Sequence, residues 1–191
     1  MSETLQMLLA LQELDTAIAQ LQRRLGALPE RTAAHELNER RHALETRLVD
    51  LAGQLDTLAT SEEAVEKELA TVEDRANSLD AALRSPGSAT RDAQSIIHEI
   101  DQLREQAGVI EERGLDLLEQ RDAVLNDQKT AQADLDAIAA EAPTVLAALK
   151  QAEGDAGVEL ARLQAERDSA AAGIDAALLA TYDKLRARLD G

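Results

Sequence analysis

Apolar residues recur along most of the chain at alternating steps of three and four positions. One series comprises Leu44, Leu48, Leu51, Leu55, Leu58, Glu62, Val65, Leu69, Val72, Ala76, Leu79 and Leu83. A second comprises Ile96, Ile100, Leu103, Ala107, Ile110, Gly114, Leu117, Arg121, Val124, Gln128, Ala131, Leu135 and Ile138. A mean step of about 3.5 residues is typical of helices that pack along a narrow stripe. The pattern therefore predicts long α-helices that pair through a coiled-coil seam.

The three prolines indicate how these helices are arranged. Pro86 lies between the two apolar series, within the turn-forming stretch Ser85-Pro86-Gly87-Ser88, and Pro29 and Pro143 lie at equal distances on either side of it. Proline inside a helix removes a backbone donor and clashes with the preceding turn. We therefore expect an all-α fold, a long antiparallel coiled-coil helical hairpin with its tip at residues 85–88 and breaks at matching heights near Pro29 and Pro143.

This arrangement predicts a single hairpin domain over residues 1–191. Arm one would occupy residues 3–84, the tip residues 85–89, and arm two residues 90–188. The same repeats are also compatible with a parallel dimer of straight helices. The turn motif and the evenly spaced prolines favour the hairpin within one chain.

Mirror pairing about the turn gives a specific register. It places Gly114 opposite Leu58, so that a small residue accommodates a large one. Glu62 and Arg121 interrupt the seam, where polar side chains are typical of positions that set register. Residues 172–191 would extend beyond arm one as an overhang whose apolar side chains need a cover.

Composition and charge narrow the function. The chain lacks Phe and Trp and has one tyrosine, Tyr182, which does not suit a globular core. The formal net charge is −17, and such a surface repels phosphate backbones. We therefore expect no nucleic-acid binding by the hairpin itself.

No catalytic, cofactor or metal site is predicted. Cysteine is absent, and the histidines, His35, His42 and His98, do not form a metal-binding pattern. Acidic pairs such as Glu62-Glu63 would lie on a solvated helix, without a pocket to raise a carboxyl pKa. No apolar run approaches the roughly 20 residues that a membrane span needs. We expect a cytoplasmic protein that is not an enzyme.

Two residue sets are candidate contact surfaces. A partner-binding acidic surface for a basic protein would comprise Glu62, Glu63, Glu66, Glu73, Glu105, Glu111 and Glu112. A surface for packing a further domain, or for forming a homodimer, would comprise Leu8, Leu11, Leu178, Tyr182 and Leu185. The leucine stripe near the N-terminus is wide, which predicts that this end packs against more than one neighbour.

Three stretches carry a family resemblance. They are Leu8-Leu9-Ala10-Leu11-Gln12-Glu13-Leu14-Asp15 with Leu28-Pro29-Glu30, then Glu99-Ile100-Asp101-Gln102-Leu103, and finally Leu178-Leu179-x-x-Tyr182-x-x-Leu185-Arg186. Together they resemble bacterial coiled-coil proteins with a C-terminal C4-type zinc ribbon, a family similar to flagellar and sigma-54-associated chaperones. The resemblance implies a zinc ribbon after residue 191, and zinc is expected only if that ribbon exists.

The resemblance also implies a function. It suggests a non-enzymatic coiled-coil adaptor or chaperone-like scaffold whose protein partner is a sigma factor or a secretion component. The alternative is a nucleic-acid-associated regulator that acts through the zinc ribbon missing from these residues. A third interpretation is a structural oligomer that self-associates through the N-terminal leucine stripe.

Overall fold

The computed structural model describes residues 2–84 and 90–188. Within these residues the chain forms four α-helices and no β-strand: α1 (Ser2–Gly26), α2 (Pro29–Leu83), α3 (Thr90–Ala172) and α4 (Ala176–Arg188). The prediction of an all-α fold is confirmed. The predicted tip at residues 85–88 lies outside the described residues.

The helices contribute to two compact units. Unit 1 comprises Met1–Arg41 and Ala137–Gly191, and unit 2 comprises His42–Asp136. Unit 1 therefore contains α1, α4 and one end each of α2 and α3. Unit 2 contains the remaining parts of α2 and α3.

The predicted break near Pro29 is confirmed. Helix α1 ends at Gly26, and the amide of Ala27 donates to the carbonyls of Arg23 and Arg24 at 3.2 and 3.1 Å. Helix α2 begins at Pro29, a position where the missing proline donor has no helical acceptor to lose. One helix therefore ends and the next begins at a position where proline sacrifices no helical hydrogen bond.

The matching break predicted near Pro143 is wrong, because α3 continues through this residue. Proline in a helix interior costs about 3 kcal/mol. The seam on its N-terminal side remains packed, since Ile138 is 2% exposed. Burial of a long apolar stripe therefore outweighs the loss of one backbone hydrogen bond.

The predicted overhang is also wrong. Helix α3 ends at Ala172, and the Asp175 carboxylate accepts from the amides of Ala177 and Leu178 at 3.0 and 3.1 Å. This N-cap starts a separate helix. Helix α4 folds back within unit 1 and contacts α1 through Tyr182. The segment that was expected to project therefore packs against another helix of the same chain.

Unit 2 is a pair of antiparallel helices around a narrow core. Its buried residues are Val65, Val72 and Ile110, with Leu69, Leu103, Ala107 and Leu117 packed against them. A Cβ atom on Gly114 would lie 3.5 Å from Cγ1 of Val65, whereas mirror pairing placed Gly114 opposite Leu58. The error is one heptad, and a seam that repeats every seven residues looks the same after such a shift.

The core of unit 1 joins α1 to the C-terminal part of α3. Ile18, Leu21 and Leu163 are buried together, with Leu14, Ala17, Ala156 and Leu160 around them. Because α1 also contacts α4, the prediction that the N-terminal end packs against more than one neighbour is confirmed. Leu5 and Leu9 nevertheless remain 63% and 52% exposed.

Candidate partner-binding surface

All seven predicted acidic residues lie in unit 2, but Glu62 differs from the other six. Its carboxylate accepts from Arg121 at 2.9 Å, and its side chain is 18% exposed. Glu62 therefore belongs to the helix interface rather than to a free acidic surface. The pair crosses the seam, as expected of polar residues that set register.

The other six glutamates are exposed. They are Glu63, Glu66, Glu73, Glu105, Glu111 and Glu112. Among residues 2–84 and 90–188, none of the six has an ion-pair partner. None of the six is therefore neutralised by a direct ion pair within the described residues.

The two sides of the unit 2 seam differ in how their charges are used. On one side, called here the paired flank, each residue directly precedes a seam position. This flank carries three cross-helix ion pairs: Arg47 with Asp127 at 2.9 Å, Arg75 with Glu99 at 3.0 Å, and Arg113 with Glu68. These pairs link α2 to α3 along one side of the seam.

The opposite side, called here the open flank, is formed by residues that directly follow a seam position. Glu66, Glu73, Glu111 and Leu118 have this placement. Two hollows lie along it. One of about 390 Å³ is lined by Glu62, Val65, Glu66, Leu69, Glu111, Gly114, Leu115 and Leu118. The other, of about 440 Å³, is lined by Val72, Glu73, Ala76, Asn77, Leu103, Arg104, Ala107, Gly108 and Glu111.

The five residues of the second candidate surface differ in how deeply they are buried. Leu11 is fully buried in unit 1, so it contributes to the core. Leu8, Leu178 and Tyr182 are half-buried, and Leu185 is 53% exposed. Of the five predicted residues, Leu185 therefore offers the most surface to another molecule.

A buried carboxylate in unit 1 was not predicted from the sequence. Asp15 is 3% exposed. Its Oδ1 accepts from Arg167 at 2.9 Å and from Arg186 at 2.7 Å, and its Oδ2 accepts from Tyr182 at 2.9 Å. The signal available in the sequence was an acidic residue directly after Leu14 in an otherwise apolar stripe.

Two residues of this cluster, Arg167 and Tyr182, have raised pKa values. The hydrogen bond to Asp15 is the main cause that raises the pKa of Arg167. Burial, followed by the hydrogen bond to Asp15, raises the pKa of Tyr182 to about 12. Both shifts hold the groups in the protonated forms that donate to Asp15, which favours a structural role for the cluster.

Other chemistry is sparse in the described part of the chain. No group of three His, Cys, Asp or Glu side chains there is arranged to hold a metal ion. The ring of His42 faces Glu45 at 3.4 Å. Within the same residues, no helical stretch combines the length and the apolarity needed to cross a lipid bilayer.

Two curated proteins of Mycobacterium tuberculosis are similar to this chain. They are the uncharacterized protein Rv2229c of strain H37Rv and the uncharacterized protein MT2288 of strain CDC 1551. Each is 30% identical over 191 residues, which cover 94% of this chain and 74% of the relative.

Solved structures share the fold at lower identity. A protein from Mycobacterium smegmatis superposes with a TM-score of 0.74 at 24% identity, covering 98% of this chain and 78% of the other. CT398 from Chlamydia trachomatis gives 0.77 at 15% identity with the same coverage. HP0958 from Helicobacter pylori gives 0.71 at 13% identity, covering 96% and 76%.

The sequence also matches a family described as the CT398-like coiled coil hairpin domain over residues 11–190. The match includes residues 11–26 of α1 and all of α2, α3 and α4. It agrees with the helical elements and the antiparallel packing within unit 2. The chain therefore belongs to the CT398-like coiled coil hairpin domain family.

Proposed function

We propose that this chain is a non-enzymatic coiled-coil scaffold that binds a basic protein partner through the acidic surface of unit 2. The observation that carries the proposal is the contrast between neighbouring charges. Glutamates on the paired flank are matched with arginines, whereas the six exposed glutamates have no ion-pair partner in the described residues. Clustered charge of one sign steers a partner of the opposite sign.

The described residues form no convergent polar pocket, which supports a scaffold over an enzyme. A catalytic site usually combines a cavity with titratable groups that have perturbed pKa values. In the part of the chain that the structure describes, the groups with shifted pKa values are Arg167 and Tyr182, and both form hydrogen bonds with Asp15. Apart from Glu62, the predicted acidic residues of unit 2 lie on exposed helix surfaces, where water can reach them.

A charge-matched comparison tests the proposal. One variant changes Glu63, Glu66, Glu73, Glu105, Glu111 and Glu112 to Gln. A control variant of the same charge neutralises six exposed acids of unit 1, namely Glu13, Glu36, Glu39, Glu141, Asp155 and Asp168. Complexes cross-linked in the source cells would be quantified for both variants by mass spectrometry.

The expected result is specific to unit 2. The unit 2 variant should lose a basic protein that the wild-type chain and the unit 1 variant both retain. If both variants keep the same set of complexes, the acidic surface does not bind a partner and the proposal is wrong. Circular dichroism of both variants would verify that the helices are intact.

The family resemblance adds finer expectations to this proposal. The partner would be a sigma factor or a component of the secretion machinery, the protein would act in the cytoplasm, and a zinc ribbon would follow residue 191. Intact mass and zinc content of the product of the native reading frame test the ribbon. A mass of 20.6 kDa without bound zinc would contradict it.

A further inference from the structure

The two hollows of the open flank form one continuous groove, because Glu111 lines both. We call this the open-flank groove. It follows α2 from Glu62 to Asn77 and α3 from Leu103 to Leu118. At 1.5 Å per residue, this length suits a helix of about four turns.

Apolar surface is exposed inside the groove. Leu115 is 62% exposed and Leu118 is 40% exposed, and both line the first hollow. The groove is open because several seam and neighbouring positions are small, including Gly108 and Gly114. The floor therefore offers apolar contact at a depth that larger side chains would have filled.

Acidic side chains surround this apolar floor. Glu66, Glu73 and Glu111 line the groove, and none has an ion-pair partner in the described residues. Arg104 also lines it, and its guanidinium lies 3.7 Å from Asp101. The remaining three unpaired glutamates, Glu63, Glu105 and Glu112, are not part of the lining.

Glu62 supplies an independent observation. Its Oε2 accepts from Arg121, but its Oε1 is buried without a hydrogen-bond partner in the described part of the chain. A buried acceptor without a donor is costly, by roughly 1–3 kcal/mol. Glu62 lines the groove, so the carboxylate with this unsatisfied oxygen lies at the site.

We infer that the open-flank groove binds a basic amphipathic helix of a protein partner. The inference rests on the proposed function and specifies its site and the chemistry of the partner. An apolar stripe on that helix would cover Leu115 and Leu118, and lysines or arginines beside the stripe would face Glu66, Glu73 and Glu111. This is the helix-in-groove mode, and it completes a three-helix arrangement along α2 and α3.

Charge selects this occupant over two others. A second copy of this chain carries a formal net charge of −17, so its acidic surface would be repelled by the groove. A nucleic acid would bring phosphates to the same carboxylates. A cationic helix is attracted at its flanks and buries its apolar face between them.

The test uses a synthetic probe. The peptide is a helix of about 18 residues with leucines on its seam and lysines elsewhere, and its control carries glutamates in place of the lysines. Binding to the full chain is measured by fluorescence anisotropy at physiological ionic strength. The two protein variants are E66Q/E73Q/E111Q and E63Q/E105Q/E112Q, which change the net charge equally.

The groove predicts that the two triple variants differ. E66Q/E73Q/E111Q should weaken binding of the lysine peptide by about tenfold or more, whereas E63Q/E105Q/E112Q should change it by less than about twofold. If both variants weaken binding equally, the groove is not the site. Failure of the wild-type chain to bind the lysine peptide in preference to the glutamate peptide would overturn the inference as well.

A second pair of variants tests the apolar floor at unchanged charge. L115A/L118A should weaken binding by about tenfold, because it removes exposed apolar area from the groove. Val109→Ala, at a 64% exposed position outside the lining, should leave binding unchanged. Equal effects of both variants would contradict the groove.

These outcomes are distinguishable from failure of the proposed function. The scaffold proposal is judged by native complexes of the six-glutamine variant, whatever the synthetic peptide does. Equal loss from both triple variants removes the groove but leaves a diffuse acidic surface. Retention of every native complex by the six-glutamine variant removes the scaffold proposal itself.

Discussion

The phenol of Tyr182 donates a hydrogen bond to Oδ2 of Asp15 over 2.9 Å, which ties α4 to α1 within unit 1. The tie is polar because α4 contains no buried residue. Arg186, also on α4, donates to Oδ1 of the same carboxylate at 2.7 Å. One buried acid therefore accepts two hydrogen bonds from α4.

Neutralising Asp15 should release α4. In Asp15→Asn, two guanidinium groups lose their shared anion, and removal of one partner from a buried ion pair is strongly destabilising. Because Arg167 and Arg186 are partly exposed, we expect a loss of about 2–3 kcal/mol in the free energy of unfolding. Denaturant unfolding measures the loss, and amide hydrogen exchange should accelerate first in α4.

A matched control distinguishes this effect from a general change in charge. Asp155 is exposed in the same unit, so Asp155→Asn should alter the free energy of unfolding by less than about 0.5 kcal/mol. If Asp15→Asn is equally mild, Asp15 does not hold α4.

High pH should weaken the same contact. The pKa of Tyr182 is raised to about 12, above the ordinary tyrosine value of about 10. Between these values the unfolded chain has lost the phenol proton and the folded chain keeps it, so stability falls as pH rises from about 10 to about 12. Below about pH 10 this contribution is fully present.

The titration can be followed directly, because Tyr182 is the one tyrosine in the sequence and tryptophan is absent. Ultraviolet absorbance of the tyrosinate reports its pKa in the folded chain and in denaturant. Burial is the largest cause of the raised pKa, and the hydrogen bond and the charge of Asp15 come next. Asp15→Asn should therefore lower the folded pKa part of the way toward its ordinary value. An identical titration curve for the folded and denatured chains would contradict the assigned contact.

The seam and the N-terminal break were predictable because both depend on local sequence. The spacing of the apolar residues determines which helix face is buried, and Gly26 with Pro29 weakens α1 at its end. The register was not predictable from this pattern. The Val65–Gly114 contact differs from the mirror pairing by one heptad, and ion pairs such as Glu68 with Arg113 distinguish registers that the apolar pattern leaves equivalent.

The sequence predicted the negative charge of the candidate surface, but it did not predict which of the acidic residues are buried and which line the groove. Burial of Glu62 depends on Arg121 across the seam, and Glu111 reaches the groove only because of the register. The Asp15 cluster joins residues separated by 152 to 171 positions. The contacts of Tyr182 and Arg186 with Asp15 also require α4 to fold back after Asp175, and the N-cap at Asp175 does not by itself determine the direction of α4.

Filling Gly114 with a methyl group should stabilise unit 2. A glycine in a helix interior costs about 1 kcal/mol relative to alanine, and the added Cβ would meet Val65 at an ordinary contact distance of 3.5 Å. We expect Gly114→Ala to raise the free energy of unfolding by about 1 kcal/mol. Gly154→Ala, which meets nothing within 4 Å, is the control for propensity alone. A loss of stability in Gly114→Ala but not in Gly154→Ala would contradict the Val65 contact geometry.

Replacing Pro143 should also be stabilising, because this proline interrupts the hydrogen bonding of a helix that continues through it. Alanine restores the backbone donor and removes the ring clash, so Pro143→Ala should raise the free energy of unfolding by about 2–3 kcal/mol. Thermal unfolding followed by circular dichroism measures the gain. Pro29→Ala is the contrast, because the first turn of α2 tolerates proline, and it should change stability little. Equal gains from both would mean that the helix does not pass through Pro143.

The Glu62–Arg121 pair should contribute more to specificity than to stability. Arg121→Leu alone leaves the Glu62 carboxylate, whose Oε1 is already without a donor, beside an apolar seam. This variant should lose about 2 kcal/mol, whereas Glu62→Leu with Arg121→Leu should be at least as stable as the wild type, since apolar pairs replace buried ion pairs without loss. A double-mutant cycle of denaturant unfolding measures both values.

Sedimentation should show that the double variant self-associates, because a leucine seam without polar residues no longer excludes other registers or partners. A double variant that stays in the wild-type assembly state and is also less stable would mean that the pair stabilises the fold rather than selecting it.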